Sequence, residues 1–135
     1  MLNHITLMGR LVSAPELRVT GSGTKVAALR IACDRDYTPE GAEKQCDFFD
    51  AVAWRQTGEF VCRNFTKGQP ILVSGRLQTR KWQDRDGKNR IAYEIIVESA
   101  YFAGGERRNT AAEAKKPEIV ELGDDDSELP WGDEL

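Results

Sequence analysis

Histidine occurs once, at His4, and cysteine three times, at Cys33, Cys46 and Cys62, never in a C-x-x-C spacing. A lone imidazole and scattered thiols exclude the ordinary zinc sites. An odd number of cysteines set within apolar patterns argues against a disulfide framework, so the thiols are expected to be reduced in a cytoplasmic protein. Catalysis lacks its usual parts: no nucleophile–base motif and no metal-ligand spacing occur, and Asp34 and Asp36 read more simply as loop charge. No catalytic residue, metal or cofactor is expected. Long apolar runs are missing too. No stretch approaches a membrane span, and Met1 to Val12 lacks the basic start and continuous apolar core of a secretion signal. Without that context the sequon Asn64-Phe65-Thr66 and the closing Gly132-Asp133-Glu134-Leu135 are chance matches. Gly21 to Lys25, GSGTK, has the lysine in the wrong place for a phosphate loop and reads as a turn.

What is present is a chain of 135 residues, 40% hydrophobic, long enough for one domain with its own core. Its net charge of −3 is unevenly spread: residues 1–105 carry 15 Lys/Arg against 12 Asp/Glu, and residues 106–135 carry 4 against 10. A mildly basic body, +3, is thus joined to an acidic tail, −6.

Period-2 alternation runs through the body. Ile5, Leu7, Gly9 and Leu11 alternate with Thr6, Met8, Arg10 and Val12, the glycine marking a bulge or sharp bend, and Ala14-Pro15 ends this first strand. Lys25 to Cys33 forms a second, and Asp34 to Gln45 is a polar loop holding Tyr37. Cys46 to Trp54, CDFFDAVAW, is a third. If its small-residue face, with Ala51 and Ala53, is the crowded interior of a barrel, Phe48 and Trp54 stand outward. A strand buried on both faces fits the same period. Thr57 to Phe65 reads as a short helix with Phe60, Val61 and Phe65 inward, closed by Lys67-Gly68.

Gly75 to Arg90, GRLQTRKWQDRDGKNR, is the most informative stretch. Ile71, Val73 and Leu77 share one strand face, and Ser74, Arg76, Gln78, Arg80 and Trp82 the other. Asp86-Gly87 suits a type I′ turn, and the chain returns through Ile91, Tyr93, Ile95 and Val97. An arm exposing Arg, Lys and Trp together suits a flat, anionic partner such as a nucleic acid. Five strands with a helix between the third and fourth give an all-β OB-fold barrel, spanning residues 1–103. From 104 to 135 periodicity fails and a disordered acidic tail is expected. Within it Asp124, Asp125 and Asp126 precede a compact apolar cluster, Leu129-Pro130-Trp131, which has the look of a short recognition peptide.

Residues 7–11, Leu-Met-Gly-Arg-Leu, with Pro15-Glu16-Leu17-Arg18, residues 48–54, Phe-Phe-Asp-Ala-Val-Ala-Trp, Lys67-Gly68 and Gly75 to Trp82 together resemble the bacterial single-stranded DNA-binding protein family, over roughly residues 2–103. The resemblance implies an OB-fold, a homotetramer in the cytoplasm associated with the nucleoid, and sequence-independent coating of single-stranded DNA during replication, recombination and repair. It also implies a tail that recruits replication and repair proteins. Its base-stacking positions fall on Tyr37, Phe48, Trp54 and Trp82, which puts Phe48 and Trp54 on the outward face. Arg10, Arg30, Arg35, Arg55, Arg76, Arg80, Lys81 and Lys88 are the phosphate candidates, foremost Arg76, Arg80 and Lys81 beside Trp82. Family tails end in acidic residues, Pro and a final Phe; here four residues follow Trp131. Trp131 replaces that ring, with Asp133 or Glu134 supplying charge, or the partner set differs. Asp50, on the outward face, should repel phosphate unless an arginine pairs with it. An OB-fold adaptor acting through protein contacts and an RNA-binding OB protein are the competing readings.

Overall fold

A computed structural model describes residues 1–104 and 119–121. Along the chain these form β1 (Ile5–Leu11), β2 (Glu16–Val19), β3 (Lys25–Asp34), β4 (Cys46–Trp54), α1 (Arg55–Asn64), β5 (Pro70–Gln83), β6 (Asn89–Phe102) and β7 (Ile119–Glu121). The strands make one sheet in the order β1-β5-β6-β4-β3-β2-β7. It closes on itself where Arg10 and Leu11 of β1 pair with Ala32 and Ile31 of β3. All described pairings are antiparallel except β4 with β6 and β2 with β7. Because β1 and β2 both pair with β3 and are separated only by residues 12–15, they act as two halves of one bent strand. Counted so, the barrel has five strands with α1 between the third and fourth, the expected OB-fold.

Alternation decides what fills the barrel. Leu29 and Ile31 of β3, Ala51 and Ala53 of β4, and Val73 and Ile95 of the β5–β6 pair all point inward and are at most 4% exposed. Burying each large aliphatic contributes about 1.5–3 kcal/mol. The small alanines leave room for α1, whose Val61, with Phe65 just beyond its end, enters the same core. Phe60, expected inward, is 38% exposed, its ring meeting the core residue Phe65 and the partly exposed Phe102, each at 6.1 Å. The helix also begins two residues early, directly after β4, by placing Arg55 at φ 56.

Closure demands two glycines. A Cβ on Gly9 would lie 2.4 Å from the Ala32 carbonyl oxygen, where β1 crosses from β5 toward β3. On Gly75 it would lie 1.9 Å from the Ile96 oxygen, beside a register shift in which β6 carries one extra residue, Glu98. That bulge reverses the parity of β6: Ile95 and Val97 face the core before it, Ala100 after it.

Three expectations are corrected. The arm does not turn on a type I′ pair, which needs positive φ at both central residues. Only Gly87 has it (φ 77), and the Gly87 amide donates to the Asp84 carbonyl at 3.0 Å, a three-residue loop with a glycine bulge. Asp84 was the overlooked residue: its Oδ1 accepts from the amides of Asp86 (3.0 Å) and Lys88 (2.9 Å). Glu16–Val19, read as following the end of a strand, is a strand itself. Lastly, Ile119–Glu121 of the tail is not unstructured but pairs in parallel with Leu17–Val19 of β2. The bare edge of β2 supplies unpaired backbone groups, and Ile119-Val120 is a β-branched pair suited to meeting them. Asp124, Asp125, Asp126, Leu129, Pro130 and Trp131 lie outside the described residues.

Candidate nucleic-acid interface

The outward face of β3, β4, β6 and β5 is one continuous surface whose rows follow from strand register. Ala32 pairs with Phe48, Arg30 with Asp50, Ala28 with Val52 and Val26 with Trp54. Asp50 and Val52 in turn match Glu94 and Ile96 of β6, and these oppose Gln78 and Arg76 of β5. Beyond the barrel β5 and β6 continue as an arm, with Arg80 opposite Ala92 and Trp82 opposite Arg90.

The expected stacking rings divide into exposed and half-buried. Tyr37 in the β3–β4 loop is 77% exposed, Phe48 53% and Trp82, near the tip of the arm, 44%. Trp54 is half-buried, packed with Ala28 against a second apolar cluster of Val26, Val52 and Ile96. Strand β4 is therefore covered on both faces at Val52, yet open outward at Phe48. The Trp54 indole nitrogen is buried without a hydrogen-bond partner among the described residues.

The cations are sorted by what they already hold. Arg30 lies over the Phe48 ring, 5.3 Å from its centroid, and its Nη1 is 3.9 Å from Asp50 Oδ1. Asp50 therefore has an arginine beside it, but only as a long ion pair between exposed groups that leaves much of its charge on the surface. Arg76 is exposed on the same face, Arg55 is exposed at the start of α1, and Lys88 is exposed in the turn. Arg10 is exposed beside Ala32 and reaches the Gly68 carbonyl at 3.4 Å. Arg35 grips Asp47 with two hydrogen bonds of 3.0 Å and also donates to Gln45, fastening the base of the β3–β4 loop. The Arg35–Asp47 pairing raises the Arg35 pKa and lowers that of Asp47, hydrogen bonding being the main cause of both.

Arg80 departs from expectation. Its side chain is only 11% exposed and its Nε donates to Glu94 Oε1 at 3.1 Å, so the guanidinium is committed to a carboxylate instead of standing free beside Trp82. Burial and the nearby Asp50 push the Glu94 carboxyl above its ordinary pKa, against the pull of Arg80. Lys81 is exposed but, one residue from Trp82, occupies the opposite face of the arm, opposite Ile91. Arg30, Asp50, Glu94 and Arg80 thus form a ladder across four strands, two adjacent carboxylates flanked by two guanidiniums, lining with Ser13 and Ala14 a cleft of about 380 Å³.

Sequence reasoning missed the arm's second face. Ile91 (56% exposed), Tyr93 (62%) and Leu77 (39%) continue the inward alternation of the barrel strands, but the arm has run past the barrel and nothing described covers them. The signal was available in length: 14 residues per strand reach about 46 Å.

Comparison with known proteins agrees with this geometry. The model of the single-strand binding protein family matches residues 2–103. The chain belongs to that family. Its relatives include single-stranded DNA-binding protein 2 of Listeria monocytogenes, 38% identical across 81% of this chain and 68% of that one. A single-stranded DNA-binding protein of Bacillus cereus is 37% identical across 82% and 68%. Single-stranded DNA-binding protein A of Bacillus subtilis is 39% identical across 76% and 59%. The family match ends with the barrel, one residue beyond β6, and leaves the acidic tail outside it.

Proposed function

We infer that this chain binds single-stranded DNA without reading its sequence overall, coating exposed strands during replication, recombination and repair. The observation that carries the reading is the pair of exposed rings, Phe48 and Trp82, set at separate points of one sheet face with Arg30 and Arg76 on the same face. Every base has a π-face, so aromatic platforms accept any sequence, and cations between them hold the backbone. Arg10, Arg30, Arg55, Arg76 and Lys88 are the phosphate partners in this reading, with Lys81 serving a strand that passes over the arm's other face. Arg35 joins only by releasing Asp47, and Arg80 positions Glu94 instead of touching phosphate.

A homotetramer is supported by a row of exposed or half-buried apolar side chains, Met8, Leu72 and Tyr101, in register across β1, β5 and β6. The outer edge of β1 from Ile5 to Leu7 has no strand paired to it among the described residues. The acidic segment around Leu129-Pro130-Trp131 serves as the docking peptide for replication and repair partners in the cytoplasm.

Titrating oligo-dT while following tryptophan fluorescence tests the reading. Strong quenching and an affinity that falls with salt are expected, because cations leave the strand as Lys and Arg engage it. Trp82→Ala should weaken binding by about 1–3 kcal/mol per lost stack. Absence of quenching at low salt would sink the proposal. A matched RNA oligomer in competition measures how far the sugar matters.

A further inference from the structure

We propose that Asp50, set beside the stacking ring of Phe48, gives this interface one base-selective position, recognising guanine through its N1–H and N2–H donors. The proposal rests on the single-strand-binding reading and deepens it.

Three observations bring a base edge, and not a phosphate, to Asp50. Phe48 and Asp50 are two residues apart on β4 and share its outward face, which places them about 7 Å apart along the strand. The Phe48 ring is 53% exposed although Arg30 lies over part of it, and the Asp50 carboxylate is within the span of a base stacked on that ring. That carboxylate is 67% exposed, and its one ion pair, to Arg30, is 3.9 Å long, too far for a hydrogen bond. Its oxygens keep lone pairs for a ligand. Asp50 also stands in register with Glu94 on β6. Two carboxylates side by side at the middle of the face make it a poor seat for a phosphate, and Arg30 spans the ring and the carboxylate without covering the oxygens at hydrogen-bond distance.

The acceptor's chemistry then selects among bases. In an unpaired strand the Watson–Crick edges are open to side chains. Guanine alone presents two adjacent donors there, N1–H and N2–H, spaced to meet both oxygens of one carboxylate, the bidentate arrangement that makes such contacts strong. Thymine offers a single N–H between two carbonyl oxygens that would face the carboxylate oxygens. Adenine and cytosine place a ring-nitrogen acceptor next to their amino group. A surface that stacks all bases alike would thus hold guanine longest at this one place.

The experiment uses oligo-dT in which isolated thymines are replaced by deoxyguanosine or by deoxyinosine. Hypoxanthine keeps N1–H and stacks similarly but lacks the 2-amino group. The full chain is expected to bind the guanine oligomer about tenfold more tightly than the inosine one. Asp50→Asn should abolish that difference, because the amide presents one acceptor and one donor, and should bind all-thymine oligomer more tightly through loss of a repelling charge. Equal affinities for guanine and inosine in the unaltered chain would overturn the proposal, as would a preference that persists in Asp50→Asn. Either result, obtained with intact oligo-dT binding, leaves the single-strand reading standing; failure to bind any oligomer removes both.

Discussion

Arg80 and Arg30 carry the same charge on the same face and do different work, because one is covered and the other is not. Arg80 and Glu94 have side chains 11% and 10% exposed, so each is the other's replacement for water. Removing one leaves a desolvated charge, and Arg80→Ala is expected to destabilise the fold by about 3 kcal/mol in urea denaturation. Arg30→Ala, which loses only a long surface pair, should cost under about 1 kcal/mol while weakening oligo-dT binding. Similar stability losses in the two variants would show that the ladder is not divided as described. Sequence ranked Arg80 above Arg30 for its place beside Trp82, because alternation assigns a face but not how deep a position lies on it. The aromatic positions were more legible: Phe48 and Trp54 alternate with two alanines, and only a closed barrel makes the small-residue side the interior. That Trp54 settles half into a second cluster with Val26, Val52 and Ile96 follows from contacts across three strands, which no local period contains.

Among the elements, the arm is the one whose tip is governed by a single carboxylate. Asp84 accepts the Lys88 and Asp86 amides on one oxygen and the Arg90 Nε, at 3.1 Å, on the other. The Lys88 amide foremost, then Arg90 and the Asp86 amide, hold its carboxyl below the ordinary aspartate range. A depressed folded-state pKa means that the stabilisation is complete above the unfolded value, near 3.9, and is lost as pH falls through the folded one. A carboxyl NMR titration should therefore place Asp84 below that value, and Asp84→Ala should speed amide exchange at Asp86 and Lys88 while barrel amides stay protected. A normal midpoint would mean that the turn does not depend on it. Strands β1, β3, β4, β5 and β6 were readable from alternation, β4 to its end residues. The rest was set by pairing partners: Glu16–Val19 is a strand because β3 lies beside it, the Glu98 bulge exists because Gly75 meets Ile96, and β7 forms against an edge distant in sequence.

At the scale of the whole molecule, a body of charge +3 is tied to a segment of charge −6. An anionic tail competes with DNA for the basic face over distances that salt shortens, the Debye length being about 8 Å at physiological ionic strength. A chain ending at Gly104 is expected to bind oligo-dT more tightly than the full chain at low salt, with the gap closing as salt rises. In light scattering it should keep four times the monomer mass, since Met8, Leu72 and Tyr101 remain. A monomer, or an affinity gap indifferent to salt, would count against the assembly and the competition respectively. The β7 pairing adds a limit on reach. Chain extends by at most about 3.6 Å per residue. Measured from Gly104, Trp131 could lie anywhere within about 97 Å; measured from Glu121 against the β2 edge, that radius falls to about 36 Å. While β7 stays paired, the shorter radius is the limit on how far the chain beyond it can reach, and releasing three residues of strand would lengthen that reach nearly threefold.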